Sequence, residues 1–262
     1  MMPINSQRTA AVEEPLVQAL EEEHLLRERV LKTSVVQIDD LTGGFRSSQV
    51  TLLDSDSSYA ASLLHLLSIR AVSQFDEEVV WIDGGNTIDP YAISSLCKRL
   101  RLDKREILSR INISRAFTAY QLVTLIDEKL EEQVQRSAPS TVIVSSITDM
   151  FLDKDMKWME SHQLLRRCIE DVSRITKDHE TISVVTGHAF HKVGTGPMLS
   201  TLLYEHADLA IQMRTRKNGL LFRVPHADRE IIFLPVPWNQ LTLDEFRGEE
   251  YGADRAHISL GA

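Results

Sequence analysis

Five short apolar runs, each followed by a helical pattern, set the limits on how this chain folds. They are Val50 to Leu53, Glu78 to Asp83, Ile111 to Arg115, Thr141 to Ser146 and Thr181 to Thr186. Most are continuous rather than alternating, the mark of a strand covered on both faces. Between them, Leu122, Ile126 and Leu130 recur every fourth residue, and Leu165, Cys168, Ile169, Val172 and Ile175 share one helical face. Strand followed by helix, repeated, predicts an α/β protein: a mostly parallel central sheet with helices on both faces. After the fifth run the pattern changes. A glycine-containing loop, His188 to Pro197, leads to three stretches expected to form antiparallel strands: Asp208 to Arg214, Leu220 to Val224 and Glu230 to Leu234. The first two flank Lys217-Asn218-Gly219, a strong hairpin signal.

A chain of 262 residues buries a full core. The expected division is a polar tail and linker helix over 1–32, one core domain over 33–240 and a C-terminal tail over 241–262. The net charge of −9 excludes a global attraction to nucleic acid, so any such contact has to come from a local basic patch. Cys97 and Cys168 fall inside helical patterns and form no metal-spaced pair, as in a reduced intracellular protein. No apolar run approaches the roughly 18 residues of a membrane span. The expected setting is cytoplasmic, with no membrane partner.

The stretch Gln49 to Arg70 reads as a strand (Val50 to Leu53), a polar turn (Asp54 to Tyr59) and a helix from about Ala60. That is the frame in which G-x-x-x-x-G-K-[ST] cradles a phosphate. The eight corresponding residues are Ser55-Asp56-Ser57-Ser58-Tyr59-Ala60-Ala61-Ser62. Both glycines are absent, the lysine position is Ala61, and only Ser62 fits. Side chains at positive φ would cost about 1–2 kcal/mol each, and Ala61 forgoes charge-assisted bonds of about 1.5–3 kcal/mol.

The order of elements, together with IDDLTGGF, VVWIDGGNTIDPYAI, INISRAFTAYQ, TVIVSSITDMF and ISVVTGH, resembles the ATPase core of the archaeal RadA recombinases and their paralogs in the RecA superfamily. The resemblance covers roughly residues 33–235. It is strongest at Asp83, Asn86, Thr87 and Pro90 and at Arg115-Ala116-Phe117. It implies a P-loop NTPase fold and a nucleotide site at Ser55, Ser58, Ala60, Ala61 and Ser62, with Asp83, Gly85, Ser145 and His188 alongside. In the family, an aspartate that holds Mg²⁺ corresponds to Ser145, the water-activating glutamate to Gly85, and the γ-phosphate-sensing glutamine to His188. Phosphoryl transfer depends on positioning and on charge neutralisation. With the lysine also missing, the reading is a degenerate site with no catalytic residues, no metal and negligible ATP and Mg²⁺ binding.

The resulting expectation is a non-catalytic RadA-like accessory protein in DNA recombination or repair. Its partner would be a recombinase or a recombinase paralog, with single-stranded DNA as a further candidate. Two alternatives stay open: an unconventional ATPase using Ser62, Asp83 and Asp149, and a KaiC-like regulatory module unrelated to DNA. The family's two DNA-gripping loops correspond to Leu152 to Met159, with Lys154, Lys157 and Trp158, and to His188 to Ser200, with His191 and Lys192. A further cationic cluster is expected at Arg214, Arg216 and Lys217, with Arg223 across the hairpin. Another lies at Lys98, Arg99, Arg101, Lys104 and Arg105, with Asp103 and Glu106 expected to neutralise part of it.

Overall fold

The computed structural model describes residues 28–152, 156–187 and 196–234. Strand β1 (Val30–Leu31) pairs with β2 (Phe45–Arg46) in a small antiparallel ribbon, with helix α1 (Val36–Thr42) between them. Gly43, at φ +77°, ends α1 in the left-handed conformation that glycine adopts without steric cost.

The main sheet begins with β3 (Gln49–Ser55), followed by α2 (Tyr59–Phe75), β4 (Val79–Asp83), α3 (Pro90–Arg99), α4 (Lys104–Ser109) and β5 (Ile111–Arg115). A continuous helical rod follows: α5 (Ala119–Thr124), a π-helical stretch (Leu125–Leu130) and α6 (Glu131–Ser137). Then come β6 (Thr141–Ser145), a 3-10 turn (Asp149–Leu152), α7 (Trp158–Asp178) and β7 (Ile182–Gly187). The chain continues as α8 (Gly196–His206), β8 (Leu209–Arg216), β9 (Gly219–Val224) and β10 (Arg229–Phe233).

The eight strands lie in the order β10-β9-β8-β3-β7-β6-β4-β5. From β8 to β5 every neighbour is parallel, and β8-β9-β10 form an antiparallel meander. Residues 188–195 of the expected loop lie outside the described residues, and a helix that was not foreseen, α8, begins at Gly196. It carries the chain back across the sheet, so β8 joins β3 in parallel as well as β9 in the expected antiparallel hairpin.

Strand alternation divides the core into two layers. Val79 and Trp81 pack with α1, α2 and α3, whereas Val80 and Ile82 pack with the helical rod, α7 and α8. Covered on both faces, β3, β4, β6 and β7 have their carboxyl ends together at one edge of the sheet. That is where an open parallel sheet presents a crevice.

Candidate functional site

At that edge Asp54 stands in register with Gly187 and Asp83 with Ser145. β3 passes to α2 through Asp56, Ser57 and Ser58 alone. Five amide groups of the turn and the start of α2 are bonded within the chain. Ser57 N–H donates to Ser55 Oγ at 3.0 Å, and Tyr59 N–H to Ser57 Oγ at 3.2 Å. Asp56 N–H donates to Met213 O at 3.3 Å, while Ala60 and Ala61 N–H donate to Ser57 O and Ser58 O at 3.2 Å. No residue from 55 to 62 has a positive φ. The strain foreseen for a glycine-free cradle is therefore not incurred, because the chain makes a tighter turn whose hydroxyls cap their own backbone.

Carboxylates flank this turn. Asp56 Oδ1 accepts the Thr215 N–H at 2.9 Å. Asp54, 1% exposed, accepts from Tyr204 Oη at 2.7 Å, and Tyr204 in turn accepts from Gln212 Nε2 at 2.9 Å. Arg214 forms an ion pair with Asp54 Oδ2 and also donates to Asp54 O at 2.6 Å and Met213 O at 2.9 Å. Burial pushes the Tyr204 phenol well above its ordinary pKa. Arg214, expected among the cations of the hairpin, is thus folded back over β3 with its side chain only 12% exposed. Its charge is spent inside the protein.

Asp83, fully buried at the end of β4, closes a second turn. Its carboxylate accepts from Thr87 N at 3.0 Å, Ile88 N at 3.2 Å, Gly85 N at 3.3 Å and Ser145 Oγ at 2.9 Å. Ser145 Oγ also accepts the Trp81 indole N–H at 2.9 Å, and Thr87 Oγ1 lies within reach of both groups. Arg115 Nε stands 3.4 Å from Asp83 Oδ2. Burial pushes the Asp83 pKa up, but the Thr87 and Ile88 amides and the Ser145 and Thr87 hydroxyls outweigh it and hold it below the ordinary value. Asp83 thus caps the turn at Gly84-Gly85.

Gly85 is where the resemblance implied a glutamate. A Cβ there would lie 2.3 Å from Ser146 Oγ and 2.5 Å from Ser146 Cβ. Ser146 itself has φ +54°. The turn is built around the lack of a side chain.

Sequence reasoning missed His65, which is 4% exposed and lies on Trp81 with ring centroids 5.5 Å apart. Its Nε2 accepts the Asp89 N–H at 3.0 Å, and burial lowers its pKa to about 4 against the opposing pull of Asp89 and Asp83. The one available signal was a histidine inside the apolar run of α2. Beside it Ser62, Tyr91, Ala92, Ser95 and Arg99 help line a cavity of about 180 Å³ between α2 and α3. That is below the roughly 300 Å³ at which small-molecule pockets begin.

Of the other expected contacts, Lys157 precedes α7 and is exposed, and Trp158, 38% exposed, rests on His162 at 5.3 Å. Arg216 and Lys217 are exposed at the β8–β9 turn, and Arg223 pairs with Asp228 at 3.5 Å. Lys154, His188, His191 and Lys192 lie outside the described residues. Among the described residues no cluster of three His, Cys, Asp or Glu side chains is placed to hold a metal, and no helix is long and apolar enough to cross a membrane.

A mostly parallel sheet, helices on both faces, an antiparallel C-terminal edge and a strand–turn–helix at the carboxyl ends together define a RecA-like core. The family model described as Rad51 matches residues 27–203, more than half of the chain. The chain belongs to the Rad51 family and is thereby a RecA-like protein related to DNA recombination and repair.

Proposed function

We propose that this chain is a catalytically silent, RadA-paralog-type member of the Rad51 family. In this reading it serves recombination or repair as an accessory, by binding a recombinase, a recombinase paralog or single-stranded DNA, without ATP or Mg²⁺ as cofactor. The observation that carries the reading is the turn from Ser55 to Ser62. The backbone donors at Ser57, Tyr59, Ala60 and Ala61 that would face a phosphate are bonded to the chain itself. Ala61 supplies no charge, and Asp54 and Asp56 place carboxylates nearby. Gly85 and Ser145 support the same reading from the opposite side of the crevice. Both are occupied in shaping the Asp83 turn, and neither offers a base or a metal ligand of the family's kind.

Thermal unfolding with and without MgATP, together with phosphate release, tests the silent site. A ligand at about 100 times its dissociation constant would add about 2.7 kcal/mol of stability. The expected result is no shift and no turnover. A clear rise in the melting temperature, or Mg²⁺-dependent turnover abolished by Asp83→Ala, would overturn the reading. Co-purification with the host recombinase tests the accessory role, and retention is the expected result.

A further inference from the structure

The corner between α3 and α4 carries five cations, Lys98, Arg99, Arg101, Lys104 and Arg105, within eight residues of a chain whose net charge is −9. Lys98, Arg101, Lys104 and Arg105 are exposed. Among the described residues none of these four is within ion-pair distance of a carboxylate. Of the two acids expected to cancel them, one caps α4 from within the corner and the other is engaged with Arg110. Asp103 Oδ1 accepts the Arg105 N–H at 2.8 Å as the cap of α4, and Glu106 pairs with Arg110 at 3.4 Å. Over residues 98–105 only the Asp103 charge opposes the five cations.

The corner is also firmly held. Leu96, Cys97 and Ile107 are buried beneath it, and Leu100, Leu102 and Leu108 pack on the same core. Arg101, at φ +56°, turns the chain in the left-handed region, and Leu102 N–H closes the corner on Cys97 O at 2.9 Å. An open groove here is lined by Ser94, Ser95, Lys98, Leu102, Asp103 and Lys104, which brings two hydroxyls, two ammonium groups and one carboxylate together. α4 ends against the amino end of β4, where Val79 N–H meets Arg110 O at 2.9 Å. The end of α4 therefore lies at the edge of the sheet opposite the carboxyl-end crevice.

We propose that this corner is a contact for the phosphate backbone of nucleic acid, separate from the carboxyl-end crevice. Protein interfaces are anchored by aromatic and apolar side chains and are depleted in lysine. Residues 98–105 expose only charged side chains. Lysine, arginine and serine are the groups that hold phosphodiesters without reading bases. The inference rests on the recombination-side reading only for the choice of nucleic acid as the polyanion.

The test is binding of a fluorescent duplex and a fluorescent single strand across a salt series. The full chain is compared with the variant K98Q/R101N/K104Q/R105Q, in which asparagine suits the left-handed backbone at 101. Each lost phosphate contact removes about 0.9 from the slope of log K against log salt on duplex, so the variant should lose about 3–4. At about 50 mM salt its affinity should fall at least tenfold. Thermal melting checks the fold of this variant. If it is unfolded, the double variant K98Q/K104Q is read instead, with an expected slope loss of about 2. The hairpin variant R216Q/K217Q should leave this contribution intact. An unchanged slope in the corner variant, an equal loss in the hairpin variant, no binding by the unmodified chain, or displacement of DNA by polyglutamate at equal charge would each overturn the proposal. ATP turnover would remove the silent-site reading and leave these outcomes unaffected.

Discussion

The hydroxyl of Ser145 stands 2.9 Å from Asp83 Oδ1 across two parallel strands, and both side chains are fully buried. The hydroxyl donates to the carboxylate and accepts from the Trp81 indole. Ser145→Ala leaves a buried acceptor and a buried donor each short of a partner, a loss of about 1–3 kcal/mol. Ser145→Asp, the acidic residue the resemblance implies at this position, sets a second carboxylate against Asp83 in a dry site and should be the more destabilising of the two. Urea unfolding of both variants measures this. A Ser145→Asp chain as stable as the parent would contradict the structural role.

His65 gives the fold a dependence on acid. Its folded pKa of about 4 lies below the ordinary value of 6.5. Between those values the unfolded chain binds a proton that the native chain does not, so stability falls as the pH is lowered through that window. At about 1.4 kcal/mol per pH unit the full loss is about 3 kcal/mol. Asp83 acts in the same direction further down. Its folded pKa is depressed, so its contribution is present above the ordinary carboxylate range and disappears as the pH falls through the folded value. Unfolding curves between pH 7 and pH 4.5 should show the histidine component, and His65→Gln should flatten it.

Arg214 and Asp54 form the best-shielded ion pair at the crevice edge, 12% and 1% exposed. Truncating one member strands the other. Arg214→Ala should cost about 3–5 kcal/mol, because it takes the ion-pair partner from a carboxylate in a dry site. The double variant Asp54→Asn, Arg214→Met should recover much of that loss. A double-mutant cycle by thermal or urea unfolding separates the pair from its parts. Additive losses would mean that the two side chains act independently.

The five core strands were legible because burial on both faces leaves apolar runs that few other arrangements produce, as at Val79–Asp83 and Thr141–Ser145. α8 was hidden by its own start. Gly194, Gly196 and Pro197 read as a loop, although proline is tolerated in the first turn of a helix. The role of Arg214 was not legible from the sequence. Alternation puts Arg214 and Arg216 on one face of β8, and what separates them is where a neighbour ends. β3 stops at Ser55 opposite Met213, so Arg214 abuts it and Arg216 projects beyond it. The turn at Ser55 to Ser62 was recognised as a departure from the phosphate loop. Its compact shape, set by hydroxyls capping their own backbone, follows from hydrogen bonds that a motif comparison does not contain.

Restoring the family's residues one at a time should fail to restore its chemistry. At Gly85 even a Cβ lies 2.3 Å from Ser146 Oγ, closer than real contacts allow. Gly85→Glu therefore has to displace Ser146, whose φ of +54° leaves it little room to adjust. Overpacking of this kind costs about 1–3 kcal/mol. Ala61→Lys brings back an ammonium group, but the turn beside it keeps its amides bonded to Ser55, Ser57 and Ser58, and Asp54 and Asp56 remain nearby. The lysine has no cradled phosphate to meet. The expected outcome for Ala61→Lys alone, and for Ala61→Lys with Gly85→Glu, is no MgATP-dependent rise in melting temperature and no phosphate release. Turnover by either variant would show that the turn reopens around a nucleotide, and would overturn this prediction.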